Sequence, residues 1–399
     1  MTTTQLILNG RVITHDKIFD NGSVLVYDGR ITVVSEGRID APDAAIIDAK
    51  GQYVSPGFVD IHVHGGGGHD FMDNSATGYL EIAKMHARHG TTAMFPTTLS
   101  CEKNDLLDTL KVYEEADKLN IAGAQFMGIH LEGPYFAMSQ RGAQDPRYIR
   151  DPDPKEYHEI LSRSKFIKRW SAAPELKGAI EFGKYMVKNG ILPAIAHTDA
   201  IYEEVIEAFK AGYSLATHFY SAMSGVTRRN AYRYAGVVES AYLIDDMDVE
   251  IIADGIHLPA PLLKLIYKIK GPTRTALITD AMRAAGMPPG ESILGGLKNG
   301  VKVIVEDGVA KMPDRQSFAG SVATFDQLVR NMVKMADVPL IEAICMASHT
   351  PARIMKIDNK KGSLEGGKDA DIVFFDDNIN VSKTMVNGKI IFDKHAPEI

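Results

Sequence analysis

The sequence predicts an α/β chain: a closed (β/α)8 barrel (TIM barrel) with a small β-sandwich assembled from both chain termini. Three observations carry this reading. Eight short apolar runs recur through the middle of the 399 residues, most of them followed by an amphipathic stretch. Both ends read instead as short alternating runs broken by NG and DG. Polar residues able to hold a metal or move a proton collect at the ends of the apolar runs, the side of such a barrel where chemistry is done.

From Gln5 to about Ser55 the runs QLILNGRVI, GSVLVYDGRITVV and AAIIDAKGQYV alternate apolar and polar residues, and their NG and DG pairs favour tight hairpin turns. DADIVFFDD and VSKTMVNGKIIFD near the other end share this texture, as does KVIVEDGVAKM from Lys302. The expected division assigns 1–55, 301–312 and 366–399 to the small β-domain and 56–300 with 313–365 to the barrel. The barrel runs are GFVDIHVH, TTAMFPTT, FMGIHLEGP, FIKRWSAAP, ILPAIAHT, SLATHFY, VEIIADGIH and RTALITDAM. Between them, segments such as ATGYLEIAKMHARHG and IYEEVIEAFKAG show helical spacing and end at glycine. A doubly wound open sheet is the alternative, and the number of strand-helix alternations favours closure.

Composition narrows the class. Its 44 basic and 51 acidic residues give a net charge of −7 without a dense Lys/Arg block, which argues against a nucleic-acid partner. Cys101 and Cys345 are isolated, so no thiolate metal site is expected and a reducing, cytoplasmic setting is the simplest one. MTTTQLILNGRVITHD lacks the basic start and long apolar stretch of a signal peptide, and no run of 18 apolar residues exists to span a membrane.

In VDIHVHGGGG, strand alternation turns His62 and His64 to one face while Ile61 and Val63 turn to the other. The following glycines are expected to leave room for a ligand. Glu132 closes HLEGP, His197 closes AIAHT and His218 closes SLATHFY. Alone, each has an ordinary structural reading: a strand-end polar residue, a salt bridge, a satisfied core histidine. Their joint placement at one end of several strands points to metal ligation, and a sulfur-free imidazole and carboxylate set suits Zn, Fe, Co or Mn. Five such ligands exceed what one catalytic ion usually takes, so one or two divalent ions per subunit are expected, with Glu132 bridging a pair.

Asp280 in ALITDAM either caps the next helix or takes the proton of an attacking water and passes it to the leaving group. His257 in IADGIHL is set to donate to an oxygen that gains negative charge, with Asp254 orienting its neighbours. Arg228 and Arg229 are surface charge or an anion site. His130 reads as deeper support for Glu132, and His69, His86 and His89 as loop or helix-surface residues.

The ordered set GFVDIHVHGG, HLEGPY, AHTDA, THFYSAM, IADGIHL, ITDAM and FAGSVATFDQLV resembles the N-acetylglucosamine-6-phosphate deacetylases, a branch of the metal-dependent amidohydrolase superfamily. The resemblance implies a homodimer that hydrolyses the N-acetyl group of an amino-sugar phosphate to acetate and the free amine in amino-sugar catabolism. It implies that Glu132, His197 and His218 are the shared metal ligands and that His62 and His64 are the additional pair of two-metal members. By the same matching, Asp280 is the acid/base, His257 polarises the acetyl carbonyl and Arg229, eleven residues after His218, binds phosphate. Ser221, Ala222, Gln144 and Phe318 fall at substrate-side positions. Other superfamily branches bridge their metals with a carboxylated lysine; here the fourth run offers Lys168 only near its beginning, which favours Glu132. Two departures bear on sugar identity: Ser221 stands where an asparagine is usual, and Gln144 where a histidine reaching the phosphate across a dimer is common. The alternatives are another N-acetyl amino sugar (galactosamine type or unphosphorylated), a cyclic amide, and a non-catalytic sugar-phosphate scaffold.

Overall fold

The structure, a computed structural model, describes residues 3–396. Eight parallel strands run in order around a nearly closed barrel: Phe58–Val63, Thr91–Thr98, Ile129–Glu132, Ile167–Ala172, Leu192–Ile195, Leu215–Ala216, Asp248–Ile251 and Thr275–Leu277. These are the eight apolar runs of the sequence. Closure between the last strand and the first comes from chain just beyond the eighth. Asp280 N donates to His62 O at 2.9 Å, and Thr279 Oγ1 donates to buried Asp60 at 2.5 Å.

The expected helices form where the apolar period is 3.6 residues. Ala76–Ala87 starts at Ser75, whose hydroxyl accepts from Gly78 N, and buries Tyr79, Ile82, Ala83 and His86 on one side. Tyr202–Lys210 buries Val205 and Ala208 in the same way. Among the described residues no helix is long and apolar enough to cross a membrane.

Both termini contribute to one eight-stranded sheet. Thr4–Ile13, Ile18–Tyr27, Arg30–Glu36, Ala45–Asp48 and Tyr53–Pro56 come from the N-terminal side, and Ile372–Phe375, Val381–Val386 and Lys389–Asp393 from the C-terminal side. The halves join where Ile372 pairs with Pro56. Alternation makes this joining strand serve two cores: Ile372 and Phe374 pack with Val12, Val24 and Val54, while Val373 and Phe375 belong to the barrel core.

Asp28-Gly29 and Asn387-Gly388 form the anticipated hairpin turns, each with two positive φ angles. Asn9-Gly10 and Asn21-Gly22 do not. They lie inside strands, where Gly10 falls at a register shift and presses against Val54, contacts a side chain would prevent.

The assignment of 301–312 to the terminal sheet is corrected. Val301–Glu306 pairs with Gly290–Leu294 on one side and Val309–Lys311 on the other, in a separate three-stranded antiparallel sheet inserted after the eighth barrel strand. Leu294, Val303, Val305 and Ala310 bury one face of it against Met282, Ala284 and Ala319. Alternation announced a strand with one buried face; it could not name the surface that buries it.

Candidate metal centre and active site

At the C-terminal mouth of the barrel, segments from six strands converge on a cavity of about 450 Å³. Its floor is built around Glu132. Oε1 of this carboxylate lies 3.0 Å from His218 Nε2, 3.3 Å from His197 Nε2 and 3.6 Å from His62 Nε2, and Oε2 lies 3.4 Å from His64 Nε2. The Nε2 atoms of His62 and His64 are 3.2 Å apart, as are those of His197 and His218. Two triads therefore share one carboxylate: His62, His64, Glu132 and Glu132, His197, His218.

This donor set fits a pair of divalent ions. Lone pairs of ring nitrogens face one another and a carboxylate across little more than 3 Å, an arrangement that needs positive charge between them. Burial pushes His62 down, yet Glu132 and Asp280 outweigh it and raise its pKa to about 10. Second contacts hold two of the rings with Nε2 inward: His197 Nδ1 meets Gln140 O at 2.7 Å and His64 Nδ1 meets Thr97 O at 3.3 Å.

Asp280 completes the cluster, with Oδ1 3.1 Å from His64 Nε2 and 3.4 Å from His62 Nε2. Burial pushes its carboxyl up, and the charges of His62 and His64 prevail, holding it below its usual range. Its main chain is fixed on both sides, by His62 O and by Ser321 N. His197, His218, Tyr220, Ala222 and Asp280 all adopt positive φ (48°, 29°, 78°, 49° and 48°). Each such non-glycine residue costs about 1–3 kcal/mol, so the strain is concentrated where side chains are aimed into the cavity.

His257 lines the wall, its Nδ1 2.7 Å from Asp254 Oδ2, and Asp254 Oδ1 also accepts from the main-chain N–H groups of residues 256 and 257. Asp254 is the orienting group the sequence suggested. Phe318 stands beside the His257 ring at 4.6 Å, and Ser221 and Ala222 face the same space. Leu294 and Ser317 belong to the inserted sheet and the chain after it, so the insertion supplies a wall of the site that the sequence did not suggest.

Several residues have surroundings that the sequence did not suggest, although Gln144 does line the cavity. Gln144 is buried against the metal-site carboxylate: its Nε2 donates to Glu132 Oε2 at 2.9 Å and its Oε1 accepts from Ser100 N at 2.8 Å. Arg229 is on an exposed hairpin, Thr227–Arg229 with Tyr232–Tyr234, and is no part of the cavity wall of its own chain. Lys168 is exposed, and among the described residues its Nζ bonds Lys165 O alone, which leaves the bridging position to Glu132. His86 is fully buried rather than on the surface, its Nε2 2.9 Å from Gly65 O.

His86 also corrects the reading of the glycines. Gly65 and Gly66 pair with Asp70 and His69; Gly65 presses onto the His69 carbonyl and Gly66 onto Met85 and His86, so their bareness admits protein, not ligand. Gly65→Ala would drive a Cβ into the His69 carbonyl oxygen. It is expected to cost about 1–3 kcal/mol by overpacking. A lowered melting temperature checks this, and an unchanged one would refute the packing argument.

Comparison with known proteins shows the family of the chain. Residues 53–391 match the amidohydrolase family. The chain is 32% identical to N-acetylglucosamine-6-phosphate deacetylase of Bacillus subtilis, over 100% of both proteins. It is 31% identical to N-acetylgalactosamine-6-phosphate deacetylase of Escherichia coli, over 97% of this chain and 99% of that one. Among solved structures, an aspartate-to-alanine variant of N-acetyl-D-glucosamine-6-phosphate deacetylase from Mycobacterium smegmatis, in complex with N-acetyl-D-glucosamine-6-phosphate, superposes with a TM-score of 0.89 at 29% identity. That alignment covers 98% of this chain and 100% of the other.

Proposed function

The chain belongs to the amidohydrolase family, in its N-acetylglucosamine-6-phosphate deacetylase branch, and from that premise we propose that it hydrolyses N-acetylglucosamine 6-phosphate to glucosamine 6-phosphate and acetate, serving amino-sugar catabolism. The observation that carries the proposal is the doubled donor set sharing Glu132, with Asp280 within 3.4 Å of two of its histidines on the floor of a sugar-sized cavity.

His62, His64, Glu132, His197 and His218 would hold one or two divalent ions of Zn, Fe, Co or Mn type. When bound, such an ion supplies Lewis acidity, polarising a carbonyl and bringing the pKa of water from 15.7 toward about 7. The protein does the rest. The cavity walls at Ser221, Ala222 and Phe318 position the sugar so that its acetyl group lies over Glu132. Asp280, ionised and already anchored by its main chain, accepts a proton from the attacking water. It then delivers that proton to the amide nitrogen as the C–N bond breaks. His257 steadies the oxygen that gains charge on the acetyl carbon. Because Nδ1 is engaged with Asp254, its Nε2 can donate only when the ring carries both protons.

The proposed protein is a homodimer. The support is the Arg229 hairpin, which is exposed and does not line the cavity of its own chain, so that a phosphate role for Arg229 calls for a second copy. Arg229→Ala is expected to raise KM for the phosphorylated sugar about 10- to 100-fold, the loss of a charge-assisted hydrogen bond of about 1.5–3 kcal/mol. KM for the plain N-acetyl sugar should hardly move. Equal effects on both substrates would remove the phosphate role from this residue. Both cysteines, Cys101 and Cys345, are free thiols, which suits the reducing cytoplasm proposed as its location.

A second reading, the galactosamine 6-phosphate substrate, is favoured by Ser221 at the cavity wall and by the similarity to a deacetylase of that name. Acetate release across both N-acetylhexosamine 6-phosphates, their plain sugars and a hydantoin decides between them. The glucosamine compound should show the highest kcat/KM. Turnover of the cyclic amide alone would overturn the assignment.

A further inference from the structure

Beneath the cavity floor the barrel encloses an ion pair with no solvent exposure. Arg169, on the fourth strand, faces Glu250, on the seventh, across the barrel interior. Arg169 Nη2 donates to Glu250 Oε2 at 2.8 Å, and Nη1 meets Oε1. The remaining fork reaches Thr217 Oγ1 at 2.8 Å and Ile61 O at 3.1 Å. A buried pair of this kind is seldom more stabilising than apolar residues of the same size, so its presence calls for another use.

That use lies one residue away from the Ile61 carbonyl. His62 Nδ1 is 3.6 Å from Glu250 Oε2 and, among the described residues, has no partner within hydrogen-bond distance. Its Nε2 faces Glu132, Asp280 and His64. For Nε2 to give its lone pair to a cation, the neutral ring must carry its proton on Nδ1, aimed at Glu250. The other three rings differ: His64 and His197 meet main-chain carbonyls through Nδ1, and His218 Nδ1 has no partner among the described residues. Of the four, His62 is the one backed by a carboxylate.

We propose that the Arg169–Glu250 pair is a positioning device for the cation site formed by His62, His64 and Glu132. Glu250 sets the tautomer and orientation of His62 and makes Nε2 a stronger donor, and Arg169 holds Glu250 in place while bonding the main chain just before His62. The two cation sites thereby differ in affinity, and filling of the His62 site is controlled from below, independently of His197 and His218. This rests on the two-ion reading of the site.

The test is a titration of the full-length, chelator-stripped protein with Co²⁺ or Zn²⁺ against a chromophoric competitor. Glu250→Gln should weaken one of two binding events about 10- to 100-fold, the usual effect of removing a group that orients a metal ligand, and leave the other at parent affinity. If the lone Arg169 left by that change prevents folding, the double variant Arg169→Met with Glu250→Met removes both charges and should show the same selective loss. Circular dichroism melting of the metal-free variants accompanies each titration, because a merely structural role would lower stability and weaken both ions together. Two ions at parent affinity in a folded variant, or equal weakening of both, overturns the proposal. A parent protein that binds fewer than two ions, or whose tighter and weaker sites are both indifferent to His62→Ala, would instead sink the two-ion reading, and the proposal with it.

Discussion

Glu132→Ala is expected to empty both cation sites at once and to bring acetate release down to background. The reason is geometric. One carboxylate faces His62, His197 and His218 through Oε1 and His64 through Oε2, so each triad loses the same member. Two imidazoles would remain on each side, fewer than the three protein ligands on which catalytic metal sites ordinarily rest. Gln144 would lose its acceptor as well, since its Nε2 is committed to Glu132 Oε2. Metal content after gel filtration, measured beside acetate release, checks the expectation. Retention of two ions per chain by this variant would show that the centre has been placed wrongly. Loss of a single ion with the other firmly held would remove Glu132 from its bridging position.

Asp280→Asn separates chemistry from metal binding. The amide keeps an oxygen that can face His62 and His64, so ions should stay, but it cannot take and return a proton. General acid/base catalysis contributes about 10² to 10⁴ in rate, and turnover should fall by that factor while KM changes little. The pH dependence follows from the environment of the carboxyl. Without metal, burial alone would raise its pKa and the neighbouring His62 and His64 charges more than reverse that; in the loaded enzyme those rings would be neutral ligands and the bound cations would supply the positive charge instead. The carboxylate is thus present at neutral pH, ready to accept a proton, and any fall in activity from its protonation comes at low pH; the asparagine variant should lack that acid limb. Near-parent turnover in a metal-replete variant would take the proton relay away from Asp280.

Much of this was legible in the residues. Period-two alternation places His62 and His64 on one face, and apolar runs that end in Glu132, His197, His218 and Asp280 mark one mouth of a barrel. What failed shares a physical cause: local pattern describes a residue's own strand or helix and says nothing of its partner across the fold. The 301–312 stretch alternates like the terminal strands, yet it pairs with its neighbour Gly290–Leu294, whose last residue lines the cavity. The glycines after His64 make space, but Met85 and His86 occupy it. Gln144 drew attention as a substitution at a phosphate-side position, whereas its amide is spent on Glu132 and Ser100.

Glu250 offered the one signal that could have been read and was not. An acid within the apolar run VEIIAD raises the same question as Glu132 within GIHLEGP, because an ionised carboxylate inside a strand is costly unless paired. Its partner, Arg169, lies 81 residues earlier on another strand, a separation that only the closed barrel cancels.

The central claim is that these side chains gather divalent cations and that deacetylation depends on them. Acetate release from N-acetylglucosamine 6-phosphate should therefore vanish when the protein is stripped with a chelator and return, in proportion to bound ion, as Zn²⁺ or Co²⁺ is restored. Undiminished acetate release from protein shown by elemental analysis to be free of metal would contradict the account.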